Sequence, residues 1–141
     1  MSIWFSKITI DQLNERGNDT MGTFLQIKFT EIGDDYLKAT MPVTARTIQP
    51  MGVIHGGANV TLAETIASTA ANVVIDNQYF YCVGLEINAN HLRSVKTGLV
   101  TGITRPIHIG RSTQVWHIDI FDQNGKKTCI SRMTAAVLSR K

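Results

Sequence analysis

The sequence predicts an α+β fold in which an antiparallel sheet curls around one long helix. Three observations lead to this prediction. A run of small and apolar residues with helical spacing, about Gly57 to Asp76, stands alone in the middle of the chain. Alternating apolar and polar residues mark two strands before it and four strands after it. The pair Asn124-Gly125 separates the last two strands and favours a tight antiparallel hairpin.

Each remaining element has its own local signal. Thr9 to Gly17 has the composition of a short helix, with a capping residue at its start and a glycine at its end. Phe24 to Thr30 and Tyr36 to Val43 are predicted to form a hairpin. The four later strands are predicted at Tyr79 to Asn90, Gly98 to Ile109, Thr113 to Phe121 and Lys127 to Ser139. The residues expected on one face of the first of these strands are Val83, Leu85, Ile87 and Ala89.

The long helix is expected to be buried on most of its sides. Its small and apolar positions surround it almost completely, and such a helix usually lies inside a protein. Its many alanines permit close packing on a sheet but leave a single protomer with a thin core. Association of protomers through sheet edges or helix faces would add to that core.

Length and composition restrict the class of protein. The 141 residues, 43% hydrophobic and 18% charged, predict a single domain over residues 1–141. The net charge is only +3, and no basic run exceeds Lys126-Lys127, so nucleic-acid binding is not expected. There is no apolar run of signal-peptide or membrane-span length, which predicts a cytoplasmic protein without membrane contact. Cys82 and Cys129 are expected to be buried free thiols.

The stretch from Gln49 to Ser68 has the arrangement of an active site. His55-Gly56-Gly57 stands at the start of the long helix, so first-turn N–H groups are accessible to an oxygen that carries negative charge. Glu64 is the only acidic residue over 36–75, and its neighbours are small or apolar. An ionisable group in such surroundings is costly unless it is paired or used in chemistry.

The spacing of Gly56 and Glu64 has a geometric consequence. Eight residues along a helix correspond to about 12 Å, so both groups of one chain cannot touch the same carbonyl. A site that uses both therefore needs Gly56 from one protomer and Glu64 from another. This places the expected site across a dimer interface.

The neighbours of Glu64 leave alternatives open. Ser68 lies at i+4 and can bond the Glu64 carboxylate or a water beside it, and Thr61 and Thr65 can compete for that role. Ser68 can instead bond a carbonyl of its own helix. Glu64 itself can be an exposed helix residue or form a structural pair with an arginine.

Gln49 and His55 are the candidate groups in the loop before the helix. Gln49 can donate its amide to a thioester or ester carbonyl, while His55 can fix the turn by donating to a loop carbonyl or can contact substrate. The histidines lack ligand spacing and there is no Cys-x-x-Cys or His-Glu-x-x-His, so no metal is expected. The absence of a nucleophile elbow, a dinucleotide motif and a P-loop argues against a common serine hydrolase and against a bound cofactor.

Residues 49–68, together with 83–93 (VGLEINANHLR), resemble the hotdog-fold acyl-CoA thioesterases. The glutamine, the His-Gly-Gly and the glutamate fall at that family's spacing, and the resemblance covers nearly the whole chain. It is closest to the branch that contains the Arthrobacter-type 4-hydroxybenzoyl-CoA thioesterase and the bacterial 1,4-dihydroxy-2-naphthoyl-CoA hydrolase. The resemblance implies five or six antiparallel strands around the central helix, and dimers that assemble into homotetramers.

The resemblance also implies roles for individual residues. Glu64 would be the nucleophile or general base, Gly56 N–H the oxyanion donor, and Ser68 would orient the water, with Gln49 and His55 supporting the carbonyl end. Acid and oxyanion donor come from opposite protomers in that family, which agrees with the helix-length argument. Substrate contacts are implied for Val83, Asn90, His91, Leu92, Arg93, Ile107, His108, Ile109, Gly110, Arg111 and Ser112. Of these, His91, Arg93 and Arg111 would contact phosphate or adenine.

Two departures from the family pattern concern the same regions. Ser68 stands where the Arthrobacter-type enzyme has threonine, which keeps the hydroxyl. Ser94 follows Arg93 where relatives often have proline, which leaves that loop less rigid.

The expected function is hydrolysis of an acyl-CoA thioester to a free acid and CoA. An aromatic acyl group is implied by the resemblance, and medium-chain fatty acyl groups come next. An acyl carrier protein is an alternative carrier. The alternative functions are a hotdog-fold enoyl hydratase or dehydratase, in which His55 and Glu64 would shuttle protons, and a non-catalytic acyl-CoA-binding protein.

Overall fold

A six-stranded antiparallel sheet and one long helix make up most of the computed structural model, which describes residues 1–141. In chain order the elements are α1 (Ile10–Arg16), α2 (Met21–Phe24), β1 (Lys28–Ile32), β2 (Leu37–Pro42), α3 (Gly56–Val73), β3 (Phe80–His91), β4 (Leu99–Ile109), β5 (Thr113–Phe121) and β6 (Lys127–Ser139). The strand order is β1-β2-β4-β5-β6-β3, and every neighbouring pair is antiparallel. The predicted fold class is confirmed.

The predicted short helix and hairpins form for the local reasons that the sequence indicates. Thr9 Oγ1 accepts from Gln12 N–H at 3.2 Å, and Gln12 Oε1 accepts from Thr9 N–H at 2.9 Å, so both ends of a capping box are present. Gly17 caps the other end of α1. Gly125 has φ +78° in the β5–β6 turn, a left-handed conformation that glycine adopts without strain.

Two element boundaries differ from the prediction by three residues or more. Phe24 belongs to the short helix α2 rather than to a strand, and β1 begins only at Lys28. The long helix ends at Val73 instead of Asp76, because the Asp76 side chain accepts from Gln78 N–H at 2.9 Å and forms a turn of its own. Local side-chain bonds of this kind compete with continuation of a helix.

The expectation that α3 is buried on most sides is wrong for a single protomer. Its buried residues follow one face that packs on the sheet: Ala58, Asn59, Leu62, Ala63, Ile66, Ala67, Ala70, Ala71 and Val73. The opposite face carries Gly57, Thr61, Glu64, Thr65, Ser68, Thr69 and Asn72, which remain half-buried or exposed. Small polar side chains on this open face leave room for another molecule or another protomer.

The prediction for the faces of β3 is also wrong. The register against β6 shifts between Gly84 and Glu86, and such a bulge exchanges the two faces of a strand. Ile87 and Ala89 therefore pack against the core, whereas Val83 and Leu85 are 41% and 61% exposed. This strand of 12 residues forms one edge of the sheet, so its outer backbone groups have no neighbouring strand.

The core lies between α3 and the sheet and includes both thiols. Trp116 is fully buried and stacks on Trp4 with ring centroids 6.4 Å apart. Cys82 and Cys129 are buried and free, as predicted. No helix has the length and apolarity needed to cross a membrane. No three histidine, cysteine, aspartate or glutamate side chains lie together in a way that could hold a metal ion.

Candidate active site

The loop before α3 holds Gln49 in a tight turn. Gln49 N–H donates to Val53 O at 2.9 Å and Gly52 N–H donates to Gln49 O at 2.8 Å, with Gly52 at φ +78°. Met51 N–H also donates to the side-chain oxygen of Gln49. This bond fixes the orientation of the Gln49 amide. Its N–H groups make no hydrogen bond within the chain, so they remain free as donors.

His55 is the N-cap of α3. Its ring Nδ1 accepts from Gly57 N–H at 2.8 Å, and its backbone N–H donates to Thr47 O at 2.8 Å. The ring therefore fixes the turn as an acceptor rather than as the predicted donor to a loop carbonyl. Gly56 N–H, the first in the helix, makes no hydrogen bond within the chain, so it remains free for an oxygen from outside.

A cavity of about 300 Å³ opens at the N-terminus of α3, and Gln49, Gly56, Asn59, His91 and Arg93 contribute to its lining. His91 Nε2 lies so close to Gly56 that a Cβ atom at that position would be 2.8 Å away. Glycine is therefore required by close approach as well as by backbone access. The resemblance assigned His91 to the nucleotide, but in the structure it lies at the helix N-terminus.

Glu64 lies on the open face of α3, half-buried and outside every ion pair of the chain. The alternative of a structural pair with an arginine is thus not realised. Its Oε1 lies over Gly84 of β3, where a Cβ atom would be only 2.7 Å away. Sequence reasoning missed Gly84, although a glycine inside a strand often marks a close approach.

The hydroxyl groups near Glu64 are bonded elsewhere. Ser68 Oγ donates to Met133 Sδ at 3.5 Å, Thr61 donates to Gly57 O at 2.9 Å, and Thr65 donates to the Thr61 carbonyl at 2.6 Å. The threonines therefore do not compete for the carboxylate. Orientation of a water by Ser68 stays a prediction that requires its hydroxyl to leave the sulfur.

The five residues expected in catalysis fall into two groups within one protomer. Gln49, His55 and Gly56 surround the N-terminus of α3, while Glu64 and Ser68 lie in its middle. Because α3 begins at Gly56, Gly56 and Glu64 are separated by about 12 Å along the helix. One protomer therefore cannot bring both groups to the same carbonyl.

The residues expected to contact CoA are also divided. Asn90, His91, Leu92 and Arg93 lie near the N-terminal cavity, and Arg93 Nη1 donates to Lys127 O at 2.8 Å. Gly110, Arg111 and Ser112 instead line a second cavity of about 760 Å³ together with Asp76 and Phe80, beyond the other end of α3. Eighteen helical residues span about 27 Å, so one protomer cannot bring both segments to one phosphate group.

The other expected contacts are exposed side chains of β3 and β4. Val83, Ile107 and Ile109 have relative exposures of 41%, 57% and 42%. His108 is exposed as well, and its ring lies beside Gly110, where a Cβ atom would be 2.6 Å from His108 Nε2. These residues are available to a ligand or a partner, and the structure of one chain does not bring them to the helix N-terminus.

The chain belongs to the thioesterase superfamily, whose family model matches residues 51–129. It is 52% identical over 136 residues to the 1,4-dihydroxy-2-naphthoyl-CoA hydrolase of Escherichia coli (strain K12), covering 96% of this chain and 99% of that protein. The resemblance seen in the sequence is confirmed, and the enzyme class is that of a thioester hydrolase with a hotdog fold.

Solved structures agree with this family membership. Mutant thioesterase PA1618 from Pseudomonas aeruginosa has a TM-score of 0.97 and 45% identity, covering 99% of this chain and 100% of that chain. Thioesterase HI1161 from Haemophilus influenzae has a TM-score of 0.95 and 44% identity, covering 97% and 95% of the two chains.

Proposed function

We propose that this enzyme is a cytoplasmic hydrolase of acyl-CoA thioesters and that its acyl group is aromatic. The E. coli relative, similar over nearly its whole length, is named for a bicyclic aromatic acyl-CoA. The apolar side chains of Val53 and Ile54 and the donors at the helix N-terminus line the same cavity. A cavity that combines a few apolar side chains with convergent polar groups suits an acyl thioester.

The observation that carries the proposal is the free donor set at the N-terminus of α3. Gly56 N–H has no partner in the chain, and the Gln49 amide has its oxygen occupied and its N–H groups free. The helix dipole adds partial positive charge at the same point. These groups are suited to stabilise negative charge as it develops on the thioester oxygen.

Glu64 supplies the carboxylate, either as nucleophile or as general base. As a base it takes a proton from water while the water oxygen forms a bond to the carbonyl carbon. As a nucleophile its own oxygen forms that bond, and water later cleaves the resulting anhydride. In both cases the carbon–sulfur bond breaks and the sulfur leaves with the bonding electrons. The proton taken from water passes to this thiolate, which restores the Glu64 carboxylate, and the products are a free acid and CoA.

The complete site lies between two protomers. Within one chain, Glu64 is about 12 Å from Gly56 along α3, so a partner subunit has to provide one of the two groups. The exposed edge of β3, with Val83 and Leu85 on its surface, is suited to pair with the same edge of a second copy. Two such dimers would form the tetramer implied by the resemblance.

The same division applies to the nucleotide of CoA. Arg93 of one protomer and the partner subunit's Arg111 are proposed to share the phosphates, because Arg93 and Arg111 of one chain lie at opposite ends of α3. Guanidinium groups bind phosphate through paired charge-assisted hydrogen bonds.

Thiol release from benzoyl-, naphthoyl-, phenylacetyl- and fatty acyl-CoA tests the proposal directly. Wild type should release CoA fastest from an aromatic thioester, and Glu64→Gln should lower kcat by about 10³-fold or more. Glu15→Gln is the matched control, because Glu15 is an exposed glutamate of α1 that lines neither cavity and lies outside the β3 edge.

Three results would contradict the proposal. Near-normal release by Glu64→Gln would remove the carboxylate from the mechanism. Hydration of an enoyl-CoA without thiol release would indicate the hydratase, and tight acyl-CoA binding without turnover would indicate a binding protein.

A further inference from the structure

Asn59 is a polar side chain buried beneath the active site. It lies in the first turn of α3, is 1% exposed, and its Oδ1 has no hydrogen-bond partner. Its one side-chain hydrogen bond joins Nδ2 to His91 Nδ1 at 3.3 Å. Burial of an amide with an unpaired oxygen lowers stability, so the contact with His91 is the feature that accounts for an asparagine here.

We propose that Asn59 is a positioning residue that holds His91 with Nδ1 as acceptor and Nε2–H as a third donor beside Gly56 N–H and the Gln49 amide. This inference rests on the proposed thioester hydrolysis, because the three donors would act on the thioester oxygen.

The hydrogen-bonding capacity of the two side chains supports this orientation. An Nδ2 that donates to Nδ1 requires a lone pair there, which leaves the proton of the neutral imidazole on Nε2. If the amide were turned, Oδ1 would accept from an Nδ1 proton, and the buried NH₂ group would be the unpaired one. An orphaned buried N–H is rarer than an under-satisfied carbonyl oxygen, so the first arrangement is favoured.

The position of His91 explains why its orientation matters. It is the last residue of β3 and is exposed, and Asn59 is its only side-chain hydrogen-bond partner. Nε2 lies against the Gly56 α-carbon, at 2.8 Å from the position of a Cβ atom. If the ring is fixed before substrate binds, the conformational entropy of the His91 side chain is not lost during the reaction and does not add to the activation free energy.

The first test measures the His91 tautomer by ¹⁵N NMR in the free protein, at a pH where the ring's own titration shows it to be neutral. Wild type should have an unprotonated Nδ1 and a protonated Nε2. Asn59→Asp places only acceptors at that position and should move the proton to Nδ1. Asn72→Leu is the control, because Asn72 on the same helix bonds the backbone of Cys82 and should leave the tautomer unchanged.

A protonated Nδ1 in wild type, or a tautomer that Asn59→Asp leaves unchanged, would overturn the proposal. This measurement uses no substrate, so its result stands whether or not the protein hydrolyses thioesters.

The second test is a double-mutant cycle of Asn59→Leu with His91→Ala in the thiol-release assay. Asn59→Leu should lower kcat roughly 10-fold with a smaller change in KM. The His91 ring loses the hydrogen bond that orients it, but the imidazole can still donate a hydrogen bond to the substrate. In the His91→Ala background the same substitution should have no further effect. An equal loss in both backgrounds would show that Asn59 does not act through His91.

Discussion

A single methyl group at Gly84 should move the Glu64 carboxylate and leave the fold intact. The Cβ atom of Gly84→Ala would stand 2.7 Å from Glu64 Oε1, which is 0.7 Å short of the 3.4 Å at which ordinary contact begins. The Glu64 side chain is flexible and its carboxyl carbon is 3.8 Å away, so the carboxylate yields rather than the backbone of β3. The expected displacement is therefore a few tenths of an ångström to 0.7 Å.

A displacement of this size should reduce turnover strongly. Catalytic groups tolerate errors of about 0.5 Å, and a misplacement of about 1 Å can cost about 100-fold in rate. We therefore expect kcat to fall between about 10-fold and 100-fold. The melting temperature should stay the same or rise slightly, because alanine in place of glycine restricts the unfolded chain.

Gly102→Ala is the matched control for this prediction. Gly102 also lies inside a strand, but a Cβ atom there would be 2.5 Å from Ile66 Cδ1 in the core. Overpacking of this kind typically costs about 1–3 kcal/mol of stability. Gly102→Ala should lower the melting temperature and keep the kcat of the folded enzyme. Full activity in Gly84→Ala, or a loss that merely follows unfolding, would refute the placement of Glu64.

Two further predictions concern the nucleotide and the core. Arg111→Ala should raise KM for the preferred acyl-CoA about 10-fold. The matching N-acetylcysteamine thioester has no nucleotide, so its kcat/KM should be unchanged. Equal effects on both substrates would show that Arg111 does not contact the nucleotide. Burial raises the pKa of Cys82 and of Cys129 from 9.0 to about 11. Because the unfolded thiols ionise first, the free energy of unfolding should be unaffected by them below pH 9.0 and should decrease as the pH rises towards 11. Urea unfolding of a Cys82→Ala/Cys129→Ala variant should show a smaller decrease, and an identical decrease would exclude this cause.

Much of the fold follows from local patterns in the sequence. Strand periodicity, the Asn124-Gly125 turn and the capping box of Thr9 each act within a few residues, and the corresponding elements were predicted correctly. The bulge at Gly84 was missed because it depends on the pairing of β3 with β6. The helix α2 has only four residues, too few for a periodic signal.

The candidate site was likewise predictable only where a local sequence pattern indicates it. Glu64 and Gly56 could be found because an isolated carboxylate and a glycine pair before a helix are visible within one segment. The contact of Asn59 with His91 joins positions 32 residues apart, and no local pattern indicates it. The division of the CoA contacts between the two ends of α3 likewise depends on where the β4–β5 turn lies in the fold.

The most direct test of the composite site is complementation between two inactive protomers. Glu64→Gln removes the carboxylate, and Gly56→Val fills the approach to the helix N-terminus, where a Cβ atom would be 2.8 Å from His91 Nε2. Each variant alone should be inactive as a homodimer. A heterodimer purified through two different tags should contain one intact site and recover about half of the wild-type rate per dimer. A heterodimer as inactive as its parents would contradict a site built from Gly56 of one protomer and the partner subunit's Glu64.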